Sequence, residues 1–202
     1  MPRPILLVTC FEPFGGSDRN ASQEAVMAMP DKIGPFDVRK ACLPVVFGEA
    51  GARVCELVDE LSPVAVVCVG EAGGTQAIAI ETRATNLRQA RIADNAGQAP
   101  QDEPVVEGGT DWLAATLPVG DMVAAVEAAG IPAEPSQSAG TFVCNDTLYL
   151  VLDHLRNTDV PAGFIHVPAG DALSNEQLAA GLTAAIAALG IKTGNRGQSH
   201  LD

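Results

Sequence analysis

The chain has 202 residues, enough for one domain with a substantial core, and no shift of composition along it calls for a second. A formal net charge of -13 sets aside nucleic acid and anionic membrane as partners, because both are bound by clustered Lys and Arg. Five cysteines, Cys10, Cys42, Cys55, Cys68 and Cys144, show neither CxxC spacing nor the density of a disulfide framework. Reduced thiols in a cytoplasmic protein are therefore expected, and no apolar run reaches the length of a membrane span.

Residues 5–8 form an apolar, branched run that predicts a buried strand covered on both faces. The loop 9–16 that follows carries Phe11 and Phe14. Rings in a loop need something to cover, so they either fold onto the core or wall a flat ligand. Ser22 opens a helical pattern through Ala25, Val26 and Met29 that Pro30 stops, and a strand is expected over 37–43. Residues 48–61 read as a helix with Ala52, Cys55, Val58 and Leu61 on its apolar side, which makes Cys55 a core residue. Residues 63–69 read as a second buried strand with Cys68 in the core. Strands alternating with helices predict an α/β fold with a largely parallel sheet, whose ligand sites lie beyond the carboxyl ends of strands. The loops after Val8 and Val69 are the places to look.

Gly70-Glu71-Ala72-Gly73-Gly74 has the look of a phosphate loop but lacks the Lys-Ser/Thr of that motif and the spacing of the dinucleotide fingerprint. The strand-like run 77–84 carries Glu81 among apolar neighbours, where a carboxylate needs an ion-pair partner, Arg83 or Arg88, or a functional reason. Residues 91–109 are a long polar loop, 116–119 are extended, and 122–129 form a short helix closed by Gly130. The stretch 138–147, Ser-Ala-Gly-Thr-Phe-Val-Cys-Asn-Asp-Thr, delivers Cys144 to the first turn of a helix that continues through Leu148, Val151, Leu152 and Leu155. A strand over 163–168 holds His166 near its end. Ser174-Asn175-Glu176-Gln177 is a capping box opening a helix through Leu178, Leu182, Ile186 and Leu189, and 192–202 is a polar tail.

Chemistry converges on Cys144. Open N–H groups and the positive end of a helix dipole stabilise a thiolate there, although a free cysteine beside a helix start is also an ordinary core residue. A thiol nucleophile needs a base, and the chain has three histidines. His154 lies ten residues along the same helix, about 15 Å away, and His200 sits in the tail, which leaves His166. A carboxylate that fixes the imidazole tautomer completes such a set, and Glu81 is the best candidate; Asp146 stands too close in sequence to Cys144.

Several of these stretches together resemble one family across nearly the whole chain. Phe11-Glu12-Pro13-Phe14-Gly15-Gly16 with Asn20 and Ser22, Leu43-Pro44-Val45-Val46-Phe47, the Glu81 strand, Ala90 to Asn95, Thr116 to Val119, Ser138 to Asn145 and Gly163 to Pro168 are similar to type I pyroglutamyl peptidases. The resemblance implies an α/β/α sandwich and a cytosolic cysteine exopeptidase that removes N-terminal pyroglutamate from peptides, commonly as a homotetramer and with no metal or organic cofactor. It also implies the triad Glu81, Cys144 and His166, an oxyanion held by the Cys144 N–H with Arg91 as second donor, and a thioester intermediate. Phe11, Phe14, Ile92, Phe142 and Val143 would bound the apolar pocket for the lactam. Two positions depart from the family pattern, which has Gln at Glu71 and Arg at Thr75. A carboxylate accepts but does not donate a hydrogen bond, so Glu71 is expected to touch the ligand and to alter binding or its pH dependence. The rival reading is a catalytically impaired pyroglutamate-binding protein of the same fold.

Overall fold

The computed structural model describes residues 2–170 and 172–190; the tail expected over 192–202, His200 included, lies outside the described residues. The chain begins β1 (Ile5–Phe11), α1 (Ala21–Ala28), β2 (Lys32–Ile33), β3 (Phe36–Leu43), α2 (Glu49–Leu61) and β4 (Ala65–Ala72). It continues β5 (Ile78–Glu81), β6 (Arg83–Thr85), β7 (Trp112–Ala114), α3 (Val119–Ala128), β8 (Ala133–Ser136), α4 (Val143–Leu155), β9 (Ala162–Pro168) and α5 (Asn175–Ala187). Seven strands form one sheet in the order β2-β3-β1-β4-β9-β5-β8, and β6 and β7 form a separate two-stranded ribbon. The centre, β3-β1-β4-β9, is parallel; β5 runs antiparallel to β9 and parallel to β8.

The apolar runs sit where the sheet is covered on both faces, as the continuous hydrophobicity of β1, β4 and β9 requires. One core layer packs α1, α3 and α5 against the sheet around Leu6, Val8, Ile165 and Leu182. The opposite layer packs α2 and α4 around Leu7, Val66, Leu148 and Phe164. The result is the expected α/β/α sandwich, with Cys144 and His166 on the α4 side. Among the described residues no helix is long and apolar enough to cross a membrane.

Several local expectations change. The strand predicted over 5–8 runs on through Phe11, so Phe11 closes β1 instead of lying in a loop and is 2% exposed. β4 likewise extends through Glu71 and Ala72, because β9 pairs with it as far as Pro168. The run 77–84 breaks at Thr82, whose N–H bonds Ser136, and its halves enter different sheets. Residues 116–119 are not a strand: Val119 already begins α3, and the extended pairing falls earlier, on β7. On α2 the buried face is Ala50, Val54, Leu57 and Val58, which leaves Ala52 exposed and Cys55 half-buried. Asn20 precedes the helix start read at Ser22, and its side chain accepts the Ser22 N–H at 2.9 Å as the cap of α1. The capping box of α5 forms as predicted.

Candidate active site

Cys144 is the second residue of α4, and the start of that helix is held from three sides. Gly140 takes a φ of +75°, the left-handed turn that swings the chain into the helix. Asn145, fully buried, bonds the Thr85 N–H and the carbonyls of Thr85 and Leu87 at 2.8–3.1 Å, tying α4 to β6. Asp146 accepts the Gly48 N–H at 2.7 Å and Arg88 Nε at 2.5 Å, which ties it to the start of α2. Burial pushes the Asp146 carboxyl up by more than its bonds to Gly48 and Arg88 hold it down. Both residues are polar insertions in an otherwise apolar helical face, a signal the sequence carried. Phe142, the N-cap, offers no side-chain acceptor to the N–H groups of the first turn.

His166 enters from β9 and is buried. Its Nδ1 lies 2.8 Å from Oε1 of Glu81, so the predicted pair forms, and the alternative partners of Glu81 are otherwise engaged: Arg88 with Asp146, Arg83 with the Gln137 carbonyl. The second oxygen, Oε2, is buried with no donor among the described residues. Cys144 lines the same cavity as His166, whose ring packs 4.8 Å from the Phe164 ring. Burial disfavours the imidazolium, but hydrogen bonds to Cys144 and Glu81 and their negative charge outweigh it and raise His166 to about 9. A protonated imidazole beside the thiol is therefore favoured at neutral pH. His154 instead faces Asp59 at 3.0 Å, at the far end of α4.

Register explains how this geometry is held. Gly70, His166, Ala79 and Glu134 pair across β4, β9, β5 and β8 as one row of the sheet. Paired residues project to the same face, so Gly70 lies under the thiol: a Cβ there would stand 2.9 Å from Cys144 Sγ and 2.8 Å from the Phe164 ring. Sequence reading took Gly70 as part of a loop and gave it no role.

Two connected spaces open on Cys144. A cavity of about 440 Å³ is lined by Cys144, His166, Glu81, Arg91, Glu134 and Ile92, among others. A tight niche of about 10 Å³ lies between Phe11, Phe14, Phe142, Val143, Glu71 and Cys144, closed by Asn20 and Val45. Asn20 and Val45 stand within the stretches that carried the resemblance, without roles of their own. Ile92 lines the larger cavity together with Phe14 and Phe142, 47% exposed, and is not among the residues that bound the niche. Arg91 is exposed on the same rim and has no hydrogen-bond or ion-pair partner among the described residues. Glu71 lines both spaces, and its Oε2 accepts the Ala21 N–H at 2.6 Å at the first residue of α1. A helix N-terminus favours negative charge, which is a structural reason why a carboxylate is tolerated here. Thr75 donates to the Ala72 carbonyl at 3.3 Å and closes the turn after β4.

A family model described as pyroglutamyl peptidase matches residues 5–191. A pyrrolidone-carboxylate peptidase of Enterococcus faecalis is 45% identical over 81% of this chain and 78% of its own length. One from Cupriavidus necator is 43% identical over 90% of this chain and 91% of its own. Among solved structures, pyroglutamyl peptidase I of Bacillus amyloliquefaciens superposes with a TM-score of 0.88 at 32% identity, covering 92% of this chain and 96% of that one. Pyrrolidone carboxyl peptidase of Pyrococcus furiosus gives 0.86 at 35%, covering 92% and 97%.

Proposed function

Because the chain belongs to the pyroglutamyl peptidase family of cysteine peptidases, we propose that it hydrolyses the amide bond after an N-terminal pyroglutamyl residue, through a thioester on Cys144. The observation that carries this reading is the Glu81–His166 pair at 2.8 Å, in one cavity with the Cys144 thiol, which also borders an aromatic niche.

In the first step the thiolate attacks the pyroglutamyl carbonyl carbon, and the carbonyl electrons move onto oxygen. The N–H of Cys144 faces that oxyanion, and Arg91 supplies the second donor. As the intermediate collapses the C–N bond breaks, and His166 gives its proton to the departing amine. His166 then takes a proton from water as its oxygen attacks the thioester, and collapse of that intermediate breaks the C–S bond, freeing pyroglutamic acid and restoring the Cys144 thiolate beside protonated His166. Glu81 holds the imidazole by Nδ1 and stabilises its cationic form.

The lactam lies in the niche against Phe11, Phe14, Phe142 and Val143, with Glu71 accepting its ring N–H. At about 10 Å³ the niche is closed against such a ring, so Phe14, half-buried on the loop after β1, is the wall that yields. An N-terminal glutamate is rejected twice: its carboxylate would be buried unpaired, and it would face Glu71. A cytoplasmic homotetramer belongs to the same reading, and light scattering tests the assembly.

The deciding assay is release of a fluorescent amine from its pyroglutamyl derivative, run beside the prolyl derivative, which lacks the ring carbonyl. The native protein is expected to cleave the first and spare the second, and Cys144→Ala to cleave neither. Absence of turnover by the native protein leaves the impaired binder; turnover that survives Cys144→Ala removes the mechanism.

A further inference from the structure

We propose that Glu134 selects the departing half of the substrate and favours peptides with Lys or Arg directly after pyroglutamate. The inference rests on the peptidase reading and adds a specificity element on the opposite side of the scissile bond.

The sheet dictates which side is which. The aromatic niche lies over β1 and β4, through Phe11 and Glu71, so the acyl half of the substrate is on that side of Cys144. His166 stands on β9, the next strand, where it protonates the amine. The chain that leaves with the amine therefore continues over β5 and β8. Ala79, directly beside His166 in register, offers only a methyl group as floor, so a peptide backbone passes over it.

The next residue in that row is Glu134. Two strand spacings place its Cα about 10 Å from that of His166, on the same face. It lines the same cavity, is exposed on the edge strand, and forms no ion pair or hydrogen bond among the described residues. The polar neighbours on that wall, Ser136, Ser138 and Gln89, are neutral. Arg91 is the cation on this rim, and it is not paired with Glu134. A Lys or Arg stem from the first residue after the scissile bond spans this gap, and the net charge of -13 adds a general attraction for cations.

Partly solvated ion pairs of this kind are worth about two- to fivefold in a rate constant ratio. The test measures kcat/KM for pyroglutamyl-Lys, pyroglutamyl-Gln and pyroglutamyl-Glu peptides of equal length, with the native protein, Glu134→Gln and Glu134→Lys. The native protein is expected to rank Lys over Gln over Glu at low ionic strength, with the spread shrinking in high salt. Glu134→Gln brings the three values together, and Glu134→Lys inverts the order. A ranking that Glu134→Gln and Glu134→Lys leave untouched in active protein overturns the assignment. Failure of the native protein to cleave all three peptides overturns the peptidase reading itself, a result distinct from a flat ranking.

Discussion

Replacing Gly70 by Ala puts a methyl group 2.9 Å from Cys144 Sγ and 2.8 Å from Cε1 and Cζ of Phe164. Ordinary carbon contacts lie at about 3.5–4.0 Å, so the thiol and the ring must retreat by about 0.7–1 Å. Gly70 is strand backbone outside the left-handed region, which leaves the effect purely steric. Overpacking of this size costs about 1–3 kcal/mol, or about 2–4 °C of Tm for each kcal/mol in a chain of this length. The catalytic cost is larger in proportion. Phe164 packs against His166, so the methyl group disturbs nucleophile and base together, and a 1 Å misplacement costs about 10²-fold. The assay is kcat/KM on a pyroglutamyl fluorogenic amide beside a thermal melt. The loss should fall on kcat, because the methyl group displaces the nucleophile and, through Phe164, the base. Gly70→Ala with native kcat and native Tm would refute the steric reasoning.

Glu81→Gln should lower kcat/KM by about 10²–10⁴-fold and move the alkaline limb of the pH profile downward from about 9, since Glu81 is one of the groups that raise His166. The sign for stability follows the same shift. His166 is raised in the folded state from its ordinary 6.5, so its contribution is complete below pH 6.5 and disappears as pH rises through about 9. Melts across that window check it, and the slope should shrink in Cys144→Ala. Asp146→Ala leaves Arg88 and the Gly48 N–H without their buried acceptor and should destabilise by about 3–5 kcal/mol, read as a lower Tm. Asp146→Asn keeps an acceptor for Gly48 and should cost less. Glu71→Gln adds a donor in the niche and should lower KM by about two- to tenfold while loosening the α1 N-terminus by about 0.3–1 kcal/mol. Superimposable pH profiles and equal KM for the two forms would remove Glu71 from lactam recognition.

Sequence alone determined the elements whose residues report their own burial. The apolar runs of β1, β4 and β9 demanded a sheet covered on both faces, and the spacing of Thr147, Leu148, Val151, Leu152 and Leu155 demanded a helix with Cys144 in its first turn; those five side chains are buried. Choosing among three histidines and asking why Glu81 stood among apolar neighbours led to the pair that the fold brings to 2.8 Å. Tertiary structure decided what depends on which strands adjoin. β8 is Ala-Glu-Pro-Ser, polar and interrupted by Pro135, and it becomes a strand only because β5 offers it an edge. Glu71 read as a loop residue until β9 extended the pairing of β4 and α1 placed an N–H against it. Gly70, His166, Ala79 and Glu134 are scattered along the chain and meet only through register, because hydrogen bonding between strands aligns residues that no local period relates. Periodicity within a segment encodes which face is buried; the order of strands and their register set which side chains share the site.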